Sequence, residues 1–265
     1  MNRIPFFSCL LLLAACAQPD KRSAPFSGGR WIDLTHSFSE KTLYWPNNPT
    51  GFRLDTQAAG MTPGGYYYAS NAICAPEHGG THLDAPIHFA EGKQTADQVP
   101  LDHLTGNAVV VDVSAKALAN RDYLVSIADL EAFEKAHGSI AEGSIVLLHT
   151  GYDKFYPDAA RYFGTAEKGA AAIPKLHFPG IDPEAARWLA ARRVKAVGLD
   201  TPSLDYGQST DFRSHRVLLG ENIPGFENVA HLDSLPPTGA YVVALPVKIQ
   251  GGSGGPLRIV AWVGN

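Results

Sequence analysis

The chain has 265 residues, of which 45% are apolar, and its 22 Lys and Arg against 26 Asp and Glu give a formal net charge of −4. This balance argues against a nucleic-acid partner, because there is no basic stripe that could displace counterions from phosphates. The apolar content is sufficient for one large domain with its own core.

The first residues predict an export signal and not part of the fold. Arg3 precedes an apolar run over residues 4–13, which is too short to cross a bilayer and leads through small residues to Cys16. The sequence LAAC resembles a bacterial lipobox, in which the cysteine is lipidated after cleavage; simple cleavage with an incidental Cys16 is the alternative. We expect a signal peptide over 1–15, a tether over 16–29 and one domain over 30–265. The protein would then be exported, either periplasmic or anchored in the outer membrane through Cys16 alone.

After the tether, apolar runs predict strands over residues 31–38, 52–57, 66–73, 108–114, 144–150, 195–200, 240–249 and 257–263. Most are rich in β-branched residues and nearly all are apolar, which is typical of a sheet covered on both faces. Helices are predicted over 126–138 and over 182–193, where Asp182 is the cap and Pro183 lies in the first turn. Residues 153–179 are aromatic and weakly periodic, so they predict a long excursion, and such segments usually have a function.

The predicted strand over 66–73 carries three consecutive tyrosines, and a cysteine follows it. Tyr66, Tyr67 and Tyr68 alternate faces, so at most two of them could line a pocket and the rest would pack. Once Cys9 and Cys16 are assigned to the signal and the lipid anchor, Cys74 has no partner for an intramolecular disulfide. We expect it to be a small core residue.

The most informative segment is HGGTHLDAPIHF, residues 78–89, which contains three histidines and an aspartate. Gly79 and Gly80, followed by β-branched Thr81, disfavour a helix there and predict a turn that enters an extended segment. These four side chains are the first candidates for a functional site: His78, His82, Asp84 and His88.

In an extended segment His82 and Asp84 lie on the same face, and Pro86 keeps the preceding residue extended. The two glycines would let the backbone fold so that His78 approaches the same point. Two imidazoles and a carboxylate are typical of a zinc or manganese site. The alternative is a polar turn with surface histidines.

Three ligands seldom complete such a site, and further candidates occur in SHRVLLGENIPGFENVAHL. His215 and Glu227 are the best of them, with Glu221 and His231 as rivals that the residues alone do not eliminate. Ser253 stands in GGSGG, which matches the G-x-S-x-G pattern of serine hydrolases, but neither an acid nor a histidine follows it in the chain. We therefore interpret these glycines as a turn between strands, close to the site.

The segment 78–89 resembles the signature of the metal-dependent cyclase family, to which bacterial kynurenine formamidase and isatin hydrolase belong. The resemblance extends over essentially the whole chain from Trp31 onward. It implies that three residues of the segment bind metal (His78, His82 and Asp84) and that His88 is catalytic. His215 and Glu227, twelve residues apart, would complete a site for one or two ions, Zn²⁺ or Mn²⁺. Trp45, followed by Pro46, would border the substrate.

The resemblance also implies a fold and an activity. The fold would be a single three-layer α/β domain of the swivelling β/β/α type, with a β-rich core, the metal site at the end of the sheet, and assembly into a homo-oligomer. The activity would be hydrolysis of an amide C–N bond in an aryl formamide of the N-formylkynurenine type, by water activated on the metal. The alternatives are a hydrolase of isatin-like cyclic amides, a carbonyl cyclase or dehydratase, and a lipid-anchored protein that captures a ligand on the metal without turnover.

Overall fold

The computed structural model describes residues 26–264, so the predicted signal peptide, Cys16 and most of the tether lie outside the described residues. The strands are β1 (Gly29–Asp33), β2 (Arg53–Met61), β3 (Tyr67–Cys74), β4 (His82–Asp84), β5 (Thr105–Asp112), β6 (Leu124–Val125), β7 (Ile145–His149), β8 (Gly180–Ile181), β9 (Ala196–Leu199), β10 (Gly225–Glu227), β11 (Ala240–Pro246) and β12 (Gly254–Gly264). The α-helices are α1 (Leu101–Leu104), α2 (Ser114–Ala119), α3 (Ile127–His137), α4 (Ala159–Phe163), α5 (Pro183–Ala191) and α6 (Arg213–Gly220). Within residues 26–264, no helix combines the length and hydropathy that crossing a membrane requires.

The main sheet closes on itself. Its strands follow the order β1, β12, β11, β5, β7, β9, β10, β4. The first residues of β12 also pair with β4, whereas its last residues pair with β1, so seven strands form a barrel-like ring to which β1 is added. The expected mixed α/β fold with a β-rich core is confirmed, while its description as a three-layer swivelling domain stays a prediction.

The continuous apolar runs are explained by two cores, one on each side of the sheet. On β7, Ile145 and Leu147 pack into the cluster enclosed by the ring, to which all seven strands contribute. Val146 and Leu148 pack on the other side, against residues of α3 and α5. Because side chains of a strand alternate between faces, a strand buried on both faces needs apolar residues at every position.

The two predicted helices are confirmed as α3 and α5, and Asp182 caps α5 by accepting the amide N–H of Glu184 at 2.7 Å. The sequence did not predict α6, which begins just before His215. Its first-turn amides, those of Ser214 and His215, donate to Asp205 at 3.0 Å. Since the cap comes from eight or more residues upstream, no local start signal announced this helix.

The hairpin formed by β2 and β3 stands apart from the main sheet, so both of its faces are exposed in the single chain. Tyr66, Tyr67 and Tyr68 are exposed and none of them lines the site pocket, so the prediction that some pack in the core is wrong for this chain. Cys74 is exposed at the end of β3, so its assignment as a core residue is also wrong.

Candidate metal centre and active site

The turn before β4 has the geometry that its glycines predict. Gly79 and Gly80 have φ of 152° and 59°, which a residue with a side chain rarely adopts. A Cβ on Gly79 would lie 2.1 Å from the ring of Tyr44, so the close approach itself requires glycine. Ala85, held before Pro86, is extended at φ −76° and ψ 151°.

Strand register brings the two distant parts of the chain together. β4 pairs antiparallel with β10, so that His82 lies opposite Glu227 and Leu83 opposite Phe226. Leu83 and Phe226 point into the core, and therefore His82, Asp84 and Glu227 share the other face. All three of these polar residues are buried.

The helix α6 supplies a further predicted ligand, His215. His215 Nε2 lies 3.1 Å from Asp84 Oδ2 and 3.1 Å from Glu227 Oε1. The five predicted ligands form two groups that share Asp84, each with its donor atoms within 4.8 Å of one another: His78, His82 and Asp84 in one, and Asp84, His215 and Glu227 in the other. The rivals Glu221 and His231 are exposed and belong to neither group.

Two of the imidazoles are oriented by an acceptor on the side away from the shared centre. His82 Nδ1–H donates to the carbonyl oxygen of Gly80 at 3.0 Å, and His215 Nδ1–H donates to Asp205 at 2.7 Å. Each arrangement turns Nε2 towards the carboxylates, so Nε2 is the nitrogen available to a metal ion. Asp205 was not predicted as a site residue, because its position ten residues before His215 does not by itself indicate that the two side chains are in contact.

Charges at the centre are strongly coupled. Burial would raise the pKa of Asp84, but the imidazoles of His88 and His78 and the hydrogen bond from His215 hold it well below its usual range. Burial and the neighbouring Asp84 raise the pKa of Glu227. Burial opposes protonation of His215, yet its bonds to Asp205, Asp84 and Glu227 raise the pKa of this imidazole well above its usual value.

These shifts indicate that the site requires positive charge. Two buried carboxylates repel one another, and the raised pKa of His215 shows that they favour a positive charge beside them. Three imidazoles and two carboxylates around one point form the nitrogen and oxygen donor set that suits Zn²⁺ or Mn²⁺. The residues present therefore fit a divalent ion in the place where the sequence predicted one.

His88 lies beside the ligand groups but belongs to neither. Its ring stacks on that of His78 with centroids 3.8 Å apart. Burial, aided by the neighbouring imidazoles and opposed by Asp84, lowers the pKa of His88 to about 4. The imidazole is thus neutral at neutral pH, as a proton acceptor must be.

The site opens into a cavity of about 360 Å³. Its aromatic wall consists of Tyr44, Trp45, Phe89, Phe163 and Phe212, and its lining, within the described residues, contains no Lys or Arg. Trp45 is half-buried and also packs edge-on against Phe178, with ring centroids 6.1 Å apart. It therefore serves both the pocket and the core, the two roles that the sequence could not separate.

The excursion over 153–179 forms a third core cluster beneath this wall. Tyr162, Phe163 and Phe178 are buried in it, and Trp45 packs against them. Two hydrogen bonds fasten the segment that carries Trp45, one from the Leu43 amide to Tyr156 Oη at 3.1 Å and one from the Gly169 amide to Pro46 O at 2.8 Å. The predicted excursion thus supports the aromatic wall of the cavity.

Another buried acid, Asp200, forms a possible ligand group with His149 and Asp153. Its two oxygens already accept four hydrogen bonds of 3.0 Å or less, from the amides of residues 150–152 and the hydroxyl of Thr150. This carboxylate is therefore structural, since it joins β9 to the loop after β7.

Comparisons with known proteins agree with the geometry. Residues 32–206 match the sequence model of the family described as "Putative cyclase". Isatin hydrolase of Roseibium aggregatum is 33% identical over 75% of this chain and 76% of its own length. Kynurenine formamidase of Salinibacter ruber is 32% identical over 86% of this chain and 95% of its own. Among solved structures, isatin hydrolase A from Ralstonia solanacearum is 33% identical, with a TM-score of 0.78 over 88% of this chain and 92% of that one.

Proposed function

The chain belongs to the cyclase family, and on that premise we propose that it is a metal-dependent hydrolase that cleaves an amide C–N bond in a small aromatic substrate. The observation that carries the proposal is the convergence of five buried or half-buried ligand side chains, with His88 beside them outside the ligand groups. The relatives named isatin hydrolase and kynurenine formamidase support this reaction class.

Under this proposal the ion would be held by the five ligand side chains, with Asp84 common to both groups. A bound divalent ion supplies water that ionises near neutral pH and a Lewis acid for the carbonyl oxygen. Zn²⁺ and Mn²⁺ both suit these donors, and one or two ions could be held.

His88 would move the proton. As a neutral imidazole it can accept a proton from the attacking water and then pass that proton to the departing nitrogen. Trp45 and the other aromatic side chains would hold the ring of the substrate against the wall of the cavity.

Two substrate types are candidates. An aryl formamide of the N-formylkynurenine type carries an α-carboxylate, which would find neutral donors such as Asn47 and Asn48 in the cavity but no Lys or Arg among the lining residues. A neutral cyclic amide such as isatin needs no cationic partner. Because no Lys or Arg is among the described residues that line the cavity, the neutral lactam is favoured as the second candidate.

The test is a substrate panel of N-formylkynurenine, isatin and simple lactams, with metal-loaded and chelator-treated protein. We expect hydrolysis that chelator abolishes, and a loss of about 10²-fold to 10⁴-fold in kcat for His88→Ala with metal retained. His137→Ala, which removes an exposed histidine far along α3, is the matched control and should keep full activity. Tight binding of the panel without product would support metal-dependent capture instead, and elimination or cyclisation products would support a lyase.

The location of the protein in the cell and its oligomeric state form a separate part of the proposal. We place the protein outside the cytoplasm, with a possible lipid anchor at Cys16, because of the lipobox-like start of the sequence. Assembly into a homo-oligomer is supported by the exposed apolar side chains of the β2–β3 hairpin, among them Met61 and Ile73. Sedimentation of the mature protein and fractionation of cells would test these two points.

A further inference from the structure

The third imidazole of the proposed metal site, that of His78, is held differently from the other two. The side chains of His82 and His215 are 3% and 4% exposed, whereas that of His78 is 23% exposed. Packing therefore restrains His78 less, although its Nδ1 lies only 2.7 Å from Asp84 Oδ1. An imidazole at such a position needs a hydrogen-bond partner if it is to present one nitrogen to an ion.

Ser253 and Glu77 supply that partner. Ser253 Oγ lies 2.9 Å from His78 Nε2 and 2.6 Å from Glu77 Oε2, and the Ser253 amide donates to the same carboxylate oxygen at 3.1 Å. An ionised carboxylate only accepts, so the single hydroxyl proton of Ser253 is directed to Glu77. Ser253 Oγ must then accept from His78 Nε2–H, which leaves Nδ1 as the nitrogen that faces Asp84.

Steric contacts explain why the residues on both sides of Ser253 are glycines. A Cβ on Gly252 would lie 2.7 Å from Glu77 Oε1, and a Cβ on Gly254 would lie 2.4 Å from the carbonyl oxygen of Leu83 and 2.6 Å from His78 Cε1. Glycine on both sides leaves room for Ser253 to contact the imidazole and the carboxylate together. The G-x-S-x-G resemblance is thus accounted for without a nucleophilic serine.

We propose that Glu77 and Ser253 are positioning residues that fix the ring orientation and tautomer of His78 for metal binding. The inference rests on the metal site of the proposed function. It completes a pattern in which every imidazole of the site has an outer acceptor: a carbonyl for His82, a carboxylate for His215, and a serine backed by a carboxylate for His78.

The test measures the affinity of the purified mature protein for Zn²⁺ by competition with a chromophoric chelator, together with the visible absorption of the Co²⁺-loaded protein. Ser253→Ala should weaken Zn²⁺ binding by about 10-fold to 100-fold and shift the Co²⁺ bands. Glu77→Leu should do the same, and the double variant should bind no more weakly than the worse single one. Glu77→Gln keeps an acceptor for the serine hydroxyl and should recover most of the affinity.

Asp97→Ala is the matched control, because Asp97 anchors the same glycine turn through the Gly251 amide at 3.0 Å without contacting His78. It should leave Zn²⁺ affinity within about twofold of the parent protein. An equal loss in Asp97→Ala and Ser253→Ala would overturn the proposal in favour of general loop disorder. Unchanged affinity in Ser253→Ala would overturn it while leaving the metal site intact, and a parent protein that binds no metal would refute the proposed function itself.

Discussion

Replacing Asp205 by Asn tests whether one carboxylate both caps α6 and orients His215. Its oxygens accept His215 Nδ1–H at 2.7 Å and the amides of His215 and Ser214 at 3.0 Å. Asn keeps one oxygen and loses the charge, so at least one of these donors would face an NH₂ group. Since a hydrogen bond to a charged group contributes about 1.5–3 kcal/mol, we expect the free energy of unfolding of the metal-free protein to fall by about 2 kcal/mol.

The same substitution should weaken metal binding separately. Loss of the partner of a ligating imidazole typically lowers metal affinity about 10-fold to 100-fold, which corresponds to about 1.4–2.7 kcal/mol. Urea unfolding in chelator measures the first effect and chelator competition measures the second. Asp182→Ala is the control, because it removes a helix cap on α5 and should cost about 1 kcal/mol of stability with no change in metal affinity. Asp205→Asn protein that is destabilised but binds metal within twofold of the parent would refute the orienting role.

Three further predictions concern groups around the site. Burial lowers the pKa of His36 to about 4, against 6.5 in the unfolded chain. The free energy of unfolding should therefore decrease by at most about 3 kcal/mol as the pH falls from about 6.5 to 4, because the unfolded chain binds the proton more readily. Urea titrations of His36→Phe should lack this part of the pH dependence. Tyr156→Phe removes the acceptor of the Leu43 amide and should raise KM more than it lowers kcat, whereas an unchanged KM would show that the wall does not depend on this bond. Gly79→Ala would place a Cβ 2.1 Å from Tyr44, so a melting temperature equal to that of the parent protein would contradict the steric argument.

The sequence predicted those parts of the molecule that local chemistry determines. The alternation of strands predicted that His82 and Asp84 share a face, and the glycines before them predicted the turn, because both follow from backbone sterics. The pairing of His82 with Glu227 across β4 and β10 could not be read in this way, since register between strands 140 residues apart depends on the whole sheet. The resemblance to the family implied that Glu227 belongs to the site, but not which strands bring it there.

Two kinds of residue escaped prediction for a physical reason. Asp205 and Ser253 act on a histidine through contacts made only after folding, and a single Asp or Ser in a loop carries no periodic signal. The exposed hairpin was misread because β-branched and aromatic residues predict a strand without indicating what covers it. Tyr67 and Cys74 thus lie on a correctly predicted strand whose faces are both open in the single chain.

The most direct test of the account is anomalous diffraction from crystals grown with Zn²⁺ or Mn²⁺, recorded on both sides of the absorption edge of the metal. We predict a peak about 2.0–2.2 Å from Asp84 and His82 or from Asp84 and His215, or a peak at both places. A saturated crystal with no peak there, or with its peak at the outer group of Asp153, His231 and Asp233, would contradict the central claim.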